Sequence, residues 1–150
     1  MSRVVIIYDT KFGNTEKVAR ALAEGMKNQQ VDVDCLKIDE VDTNELDDYD
    51  FLAIGGPTHI FGLSKPMKDF LQKLENINVS GKRAFAFDTK YKSRFSGSAG
   101  KKIEKKLKKL RMSIVKSSVS AIVKGKEGPL EDVAEETFKQ IGIDIATSLQ

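Results

Sequence analysis

Apolar and polar positions follow two different periods along the chain, and each period predicts a type of secondary structure. Continuous or alternating apolar runs of four to eight residues are typical of β-strands, whereas apolar side chains three and four positions apart are typical of amphipathic helices. Five segments have a strand pattern: residues 3–8, 31–38, 51–54, 83–87 and 119–123. Four segments have the helical pattern: residues 15–28, 64–74, 97–110 and 130–149.

The order of these segments predicts an α/β fold. Strands and helices alternate along most of the chain, which favours a parallel sheet with helices on both faces. Four strand segments are continuous apolar runs, typical of strands buried on both faces, while the alternating segment 31–38 indicates an edge strand. Ligands of doubly wound sheets bind beyond the carboxyl ends of the strands, so we examine the loops after the first, third and fourth predicted strands.

Length and composition exclude several classes of protein and of metal site. A chain of 150 residues, 40% of them hydrophobic, is expected to form one domain over residues 1–150. No apolar run approaches the ~18 residues of a membrane-spanning helix, and the first residues lack the pattern of a secretory leader. We therefore expect a cytoplasmic protein without a membrane partner. The single cysteine, Cys35, excludes an internal disulfide and a cysteine-based metal site.

The segment after the first predicted strand has the composition of an anion-binding loop. It runs Thr10-Lys11-Phe12-Gly13-Asn14-Thr15 and leads directly into a helix. The first N–H groups of a helix have no partner within the helix, and the helix dipole adds partial positive charge, so this position suits a phosphate. Hydroxyl and amide side chains add donors, and Gly13 lets the backbone approach the ligand. The alternative is that Asn14 or Thr15 only caps the helix.

The loops after the third and fourth predicted strands carry apolar and aromatic side chains. The third strand is followed by Pro57-Thr58-His59-Ile60-Phe61-Gly62, and the fourth by Asp88-Thr89-Lys90-Tyr91, with Phe95-Ser96-Gly97 further along. Such side chains are unusual in solvated loops. One explanation is packing against neighbouring loops. The other is that the two loops form the walls of a site for a flat, phosphorylated cofactor, which also accounts for the phosphate pattern.

With these loops, the sequence resembles the flavodoxin family over essentially its whole length. Three segments carry the resemblance: TKFGNT at 10–15, GGPTHIFG at 55–62 and FSGSAGKKIEKKL at 95–107. The second segment and the end of the chain are similar to the flavodoxin modules of flavodiiron proteins. The fifth predicted strand has no insertion, which is typical of the short-chain type. The resemblance implies a flavodoxin-like, doubly wound five-stranded parallel sheet with strand order 2-1-3-4-5.

The resemblance also implies that the cofactor is FMN. Carried over by position, Thr10, Lys11, Gly13, Asn14 and Thr15 would hold the phosphate, next to Phe12. One side of the flavin ring would be lined by Pro57, Thr58, His59, Ile60, Phe61 and Gly62. The other side and the pyrimidine edge would be lined by Asp88, Thr89, Lys90, Tyr91, Phe95, Ser96 and Gly97. The chain has no tryptophan, so which side chain stacks on the ring stays open.

As a function, the resemblance implies a flavodoxin that shuttles low-potential electrons between redox partner proteins. Such a protein is an electron carrier and needs no catalytic residue or metal. An FMN-dependent NAD(P)H:quinone-type oxidoreductase is the first alternative, and a flavin-free regulatory domain that binds phosphate is the second. We expect a monomer or a weak homodimer.

The charges are unevenly distributed along the chain. The net charge is only +3, but residues 101–111 read KKIEKKLKKLR. The apolar stripe of this predicted helix is intact, so the lysines lie on its outer face, where they are solvated or bind a partner. An acidic ferredoxin or a reductase would suit a basic face. No aromatic residue is interleaved with the lysines and no recognition motif is present, so we expect no nucleic-acid partner.

Overall fold

The computed structural model describes residues 2–27, 29–60, 62–92 and 97–150, which form a parallel sheet flanked by helices. The strands in these residues are β1 (Arg3–Tyr8), β2 (Asp32–Lys37), β3 (Phe51–Pro57), β4 (Arg83–Tyr91), β5 (Ser113–Ile114) and β6 (Val119–Val123). The helices are α1 (Asn14–Lys27), α2 (Lys65–Leu74), α3 (Ala99–Lys109) and α4 (Ala134–Ser148). Two 3₁₀ segments between β2 and β3 are Ile38–Glu40 and Thr43–Asp48. In these residues we find no helix whose length and apolar content suit a bilayer-spanning segment.

The sheet confirms the predicted topology. Its strand order is β2-β1-β3-β4-β5, and the paired strands are parallel. Within the described residues it has one strand more than the five predicted, because two short strands share the fifth position. β5 pairs with the start of β4 at Arg83 and Ala84, whereas β6 pairs with its end from Phe87 to Tyr91. Residues 115–118 connect the two, outside the strand ladder.

Each face of the sheet packs against two helices, and β1 shows the alternation. Val4, Ile6 and Tyr8 belong to the core formed with α1 and α4, whereas Val5 and Ile7 belong to the core formed with α2 and α3. All five side chains are buried. Because helices cover both faces, side chains on both sides of a central strand are buried and apolar. This burial explains the continuous apolar runs in the sequence.

The third and fourth strands are longer than the apolar pattern predicts. β3 continues to Pro57 and β4 continues to Tyr91, so the expectation that residues 88–91 form a loop is wrong. These polar residues stay in the sheet because it pairs with them on both sides: Asp88 lies opposite Gly56 of β3 and Ser120 of β6. Ladder hydrogen bonds with two neighbours outweigh the low strand propensity of Asp88 and Lys90. The extension carries them to the carboxyl edge of the sheet.

The helices begin close to the predicted positions, except for the last one. Ser64 and Ser98 are the N-caps of α2 and α3, and each side chain accepts a hydrogen bond from a backbone N–H of the first turn. α4 begins at Ala134 and not at residue 130, because Leu130 forms a β-bridge with Val123. The segment between β6 and α4 therefore folds back along the end of β6.

Candidate functional site

A cleft of about 630 Å³ opens at the carboxyl edge of the sheet. Its lining after β1 consists of Thr10, Lys11, Phe12, Asn14 and Thr15, and its lining at the end of β3 and in the turn beyond consists of Pro57, Thr58, His59 and Ile60. β4 contributes Thr89, Lys90 and Tyr91, and the end of β6 and the loop after it contribute Val123 and Lys126. These segments meet because parallel strands end at the same edge, and a crevice opens where the winding reverses between β1 and β3.

The loop after β1 presents unpaired backbone donors at the cleft. The N–H of Gly13 donates to Thr10 Oγ1 at 2.9 Å. Among the described residues, no protein acceptor meets the N–H groups of Asn14, Thr15 and Glu16 in the first turn of α1. These donors and the positive end of the helix dipole make the loop a place of positive electrostatic potential without requiring a cationic side chain.

Gly13 gives this loop its shape. Its φ is +90°, in the left-handed region that side chains disfavour. No atom lies within 4 Å of the position that a Cβ would take. A side chain at residue 13 would therefore strain the backbone without meeting a neighbour.

Two side-chain hydrogen bonds fasten this loop to the rest of the cleft. Thr15 Oγ1 lies 2.9 Å from Thr89 Oγ1 of β4, and both residues are buried. Asn14 Nδ2 donates to the carbonyl oxygen of Glu127 at 3.1 Å, which attaches α1 to the loop after β6. One hydrogen of the Asn14 side-chain amide is therefore used in a contact within the protein.

The turn after β3 is a tight hairpin. The backbone N–H of His59 donates to Gly62 O at 2.8 Å, and the N–H of Gly62 donates to His59 O at 2.9 Å. Gly62 has φ +94°, and a Cβ at this position would meet the side chain of Lys102 on α3. The hairpin base is held by the N–H of Thr58, which donates to Thr89 O at 2.9 Å. The tip of the hairpin, Ile60, projects into solvent.

Most of the large apolar side chains that are exposed in the described residues line the cleft. Within the described residues, the large apolar side chains that are exposed are Phe12 (42%), Ile60 (92%), Tyr91 (40%) and Val133 (66%). The first three line the cleft. Lys11 Nζ lies 5.3 Å from the centre of the Phe12 ring, within cation–π range. An apolar wall beside an anion-attracting loop suits a ligand that has a flat ring and an acidic tail.

Asp88 lies behind the cleft and does not line it. The side chain is fully buried, and Oδ2 accepts hydrogen bonds from Ser98 Oγ at 2.6 Å, Gly100 N at 2.8 Å and Thr58 Oγ1 at 3.2 Å. Oδ1 has no hydrogen-bond partner in the described residues. Thr58 Oγ1 in turn accepts from the N–H of Ala99 at 2.9 Å. Asp88 thus fastens the start of α3 to the turn that lines the cleft.

A second buried aspartate, Asp9, makes a similar contact with α2, and the sequence gives no prediction of it. Ser64 Oγ donates to Asp9 Oδ2 at 2.5 Å and accepts from the N–H of Met67 at 3.2 Å. Asp9 and Asp88 flank the end of β3, one beyond β1 and the other in β4. An aspartate directly after a buried apolar run is the signal that could have indicated both residues.

The remaining predicted residues fall into two groups, and two residues of the lining were not predicted. Gly13, Gly62 and Gly97 belong to segments beside the cleft but not to its lining, and Gly97 has φ +71° just before α3. Phe61, Phe95 and Ser96 lie outside the described residues. Val123 and Lys126 line the cleft without having been predicted. The signal for them is topological: β6 runs parallel to β4, so the loop after β6 reaches the same edge.

Burial shifts the pKa of three side chains that are not in the lining of the cleft. It raises the pKa of the Cys35 thiol to about 11, so the thiol is protonated and weakly nucleophilic at neutral pH. It also raises the pKa of Tyr49 to about 12, with a further contribution from the hydrogen bond that Tyr49 donates to Asp34 at 2.6 Å. Burial raises the pKa of Tyr8 as well.

Comparison with known proteins assigns the fold to a family. Residues 6–141 match the sequence model of the flavodoxin family. The chain is 31% identical over 139 residues to probable flavodoxin 2 of Bacillus subtilis, with 88% of this chain and 89% of that protein aligned. It is 32% identical over 88 residues to a flavodoxin of Clostridium saccharobutylicum, with 58% of this chain and 55% of that protein aligned. The chain spans about half the length of this and two further curated flavodoxins.

Solved structures agree with the sequence matches. A flavodoxin from the domain Archaea is similar with a TM-score of 0.85 and 25% identity over 98% of each chain. The flavodiiron protein of Giardia intestinalis shares the fold with a TM-score of 0.81 and 18% identity, over 98% of this chain and 36% of that one. The family model covers most of the chain, and a solved flavodoxin aligns with 98% of it. The chain therefore belongs to the flavodoxin family.

Proposed function

We propose that this chain binds FMN at the cleft and carries electrons between redox proteins. Members of the flavodoxin family bind FMN and transfer electrons, and the residues present here fit that cofactor. The observation that carries the proposal is the placement of the unpaired N–H groups of Asn14, Thr15 and Glu16 at one end of a cleft with apolar walls. The proposal treats residues 1–150 as one FMN-binding domain.

The loop after β1 would bind the phosphate. Backbone N–H groups at a helix N-terminus bind a dianion through charge-assisted hydrogen bonds that need no reorganisation. Thr10 accepts from Gly13, which leaves its own hydroxyl hydrogen available to a ligand, and Thr15 shares its hydroxyl with Thr89. Lys11 adds a positive charge at the rim. Asn14 contributes its backbone N–H, while its side chain holds the loop that contains Glu127.

The apolar part of the cleft would hold the ring. The turn at 57–60 would lie on one side of the ring and Tyr91 on the other, since both line the cleft, and Thr89, which also lines it, is hydrogen-bonded to Thr15 of the phosphate loop. Gly62, Gly97 and Asp88 would support these walls from behind, and we retain Phe61, Phe95 and Ser96 as proposed contacts from the sequence resemblance. These walls would exclude water from the faces of the ring. When bound, FMN would supply one- and two-electron redox chemistry.

A titration with two flavins tests the binding proposal. Apoprotein is mixed with FMN and, separately, with riboflavin, which has the same ring and no phosphate, and quenching of flavin fluorescence is followed. Each charge-assisted hydrogen bond contributes about 1.5–3 kcal/mol, so two of them should make FMN bind at least ~100-fold more tightly than riboflavin. Equal affinities would refute the phosphate loop, and no quenching by either flavin would refute the function.

A second measurement separates a carrier from a reductase. FMN-loaded protein is mixed anaerobically with NADPH, and the absorption of the flavin is followed. A carrier should be reduced slowly by NADPH alone and quickly by a reduced partner protein. Rapid, complete reduction by NADPH would favour the NAD(P)H:quinone-type oxidoreductase instead. The partners that we propose are an acidic ferredoxin or a reductase, acting on a monomer or a weak homodimer.

A further inference from the structure

The outer face of α3 carries a dense group of positive charges next to the cleft. The helix contains six lysines and one glutamate, and its buried stripe consists of Ile103 and Leu107. The lysines therefore lie on the surface that does not face the core. Lys106 pairs with Glu75, the C-cap residue of α2, and Lys108 pairs with Glu104 one turn earlier.

Within the described residues, two further lysines of α3 are not paired with a carboxylate. Lys101 and Lys105 are exposed, and no carboxylate of the described residues lies within ion-pair distance of either. They are four residues apart, so they lie one above the other on the same side of the helix. Two like charges at this spacing destabilise an isolated helix slightly. An external carboxylate group would remove that repulsion.

This basic face begins at the cleft. The N–H of Gly100 donates to Asp88 at the carboxyl edge of β4, so the first turn of α3 lies at that edge. Lys102 reaches the hairpin after β3, where its side chain occupies the space beside Gly62. The tip of that hairpin is Ile60, which is the most exposed of the large apolar side chains in the described residues. An apolar tip bordered by cations has the anatomy of a protein-docking surface, with an apolar centre and a charged rim.

We propose that Ile60, Lys101, Lys102 and Lys105 form a docking surface for a small acidic redox protein. We name this surface the basic rim. The partner would place carboxylates against Lys101 and Lys105 and an apolar contact on Ile60, which would bring its redox centre next to the cleft. Charge complementarity of this kind sets the orientation and the rate of encounter. The inference rests on the proposed electron-carrier function and adds the position at which an acidic partner would bind.

The test measures binding of a fluorescently labelled, acidic [4Fe–4S] ferredoxin to FMN-loaded protein by anisotropy. The variant is Lys101→Glu with Lys105→Glu. The matched control is Lys27→Glu with Lys73→Glu, at the far ends of α1 and α2, which changes the net charge by the same amount. At low salt, about 50 mM, the rim variant should bind roughly tenfold more weakly than the wild type, and the control should stay within about twofold. Wild-type binding should also weaken as salt is added.

The outcomes separate this inference from the proposed function. FMN affinity is measured first for all three proteins and should be equal, because neither Lys101 nor Lys105 lines the cleft. A wild type that binds FMN but not the ferredoxin, or two variants that weaken equally, would overturn the basic rim and leave the cofactor assignment intact. Tighter binding of a labelled DNA duplex than of the ferredoxin would overturn the choice of a protein partner. Loss of FMN binding by the wild type would overturn the proposed function and this inference with it.

Discussion

The hydroxyl groups of Thr15 and Thr89 lie 2.9 Å apart and join the first turn of α1 to the last residues of β4. The two residues are 74 positions apart in the sequence, and both are buried. This hydrogen bond connects the proposed phosphate loop to the strand that leads into the proposed ring site. It couples the two ends of the cleft.

Replacing these threonines singly and together should separate their structural role from ligand binding. Thr15→Val leaves the Thr89 hydroxyl buried without its partner, so we expect a loss of about 1–3 kcal/mol in the free energy of unfolding. The double variant, with Thr89→Val added, replaces both partners by apolar groups and should recover most of that loss. FMN affinity should remain weakened in the double variant, because the hydroxyl at residue 15 is still absent. Urea unfolding and FMN titration of the three variants check this, and full recovery of FMN affinity would contradict a role of Thr15 in binding.

Gly13 should matter for binding as well as for stability. Gly13→Ala places a side chain at φ +90° and should lower the free energy of unfolding by about 1–2 kcal/mol. Gly81→Ala is a matched control, because Gly81 has φ +85°, equally open surroundings and a position before β4 at the opposite edge of the sheet. We expect similar losses of stability from both variants and weaker FMN binding only from the first. Equal FMN affinities in the two variants would show that the loop does not contact the cofactor.

Asp88 should contribute more to the free energy of unfolding than an exposed aspartate does. Asp88→Ala removes the acceptor of three hydrogen bonds, one from Thr58 after β3 and two from Ser98 and Gly100 at the start of α3. Each bond to a charged group contributes about 1.5–3 kcal/mol, partly offset by the desolvation cost of the carboxylate, so we expect a net loss of about 2–3 kcal/mol. The exposed Asp48→Ala is the control and should change stability by less than about 0.5 kcal/mol. Comparable urea midpoints for the two variants would contradict the anchoring role.

The pKa of Tyr49 predicts a loss of stability at alkaline pH. Burial and the hydrogen bond to Asp34 raise this pKa from its ordinary value of 10.0 to about 12, so the folded protein keeps the phenol proton where the unfolded chain releases it. The stabilisation is fully present below pH 10 and is lost as the pH rises towards 12. Tyr49→Phe removes the hydrogen bond to Asp34 and should be less stable than the wild type at neutral pH. Because phenylalanine has no phenol to ionise, the variant should lose less stability between pH 8 and about 11. Urea midpoints at several pH values check this, and parallel pH profiles for the two proteins would contradict it.

Much of the fold follows from local patterns in the sequence. The continuous apolar runs of β1 and β3 and the helical stripe of α1 indicate their elements because strands covered on both faces and helices covered on one face require those patterns. The extension of β4 to Tyr91 does not follow from them, because Asp88, Thr89 and Lys90 are polar. They remain in the strand because β3 and β6 pair with them on either side. That pairing depends on residues far away along the chain, which no local period contains.

In the candidate site, too, some features follow from the local sequence and others depend on the tertiary structure. The sequence by itself determined the loop at 10–15, because a hydroxyl- and glycine-rich segment between a strand and a helix has a local physical meaning: it ends in unpaired N–H groups. Only the tertiary structure decided that Asp88 supports the cleft from behind, that Asp9 holds the N-cap of α2, and that Val123 and Lys126 join the lining. Whether a side chain faces a ligand or a neighbouring helix depends on which distant segments fold against it, and a linear pattern does not record that arrangement.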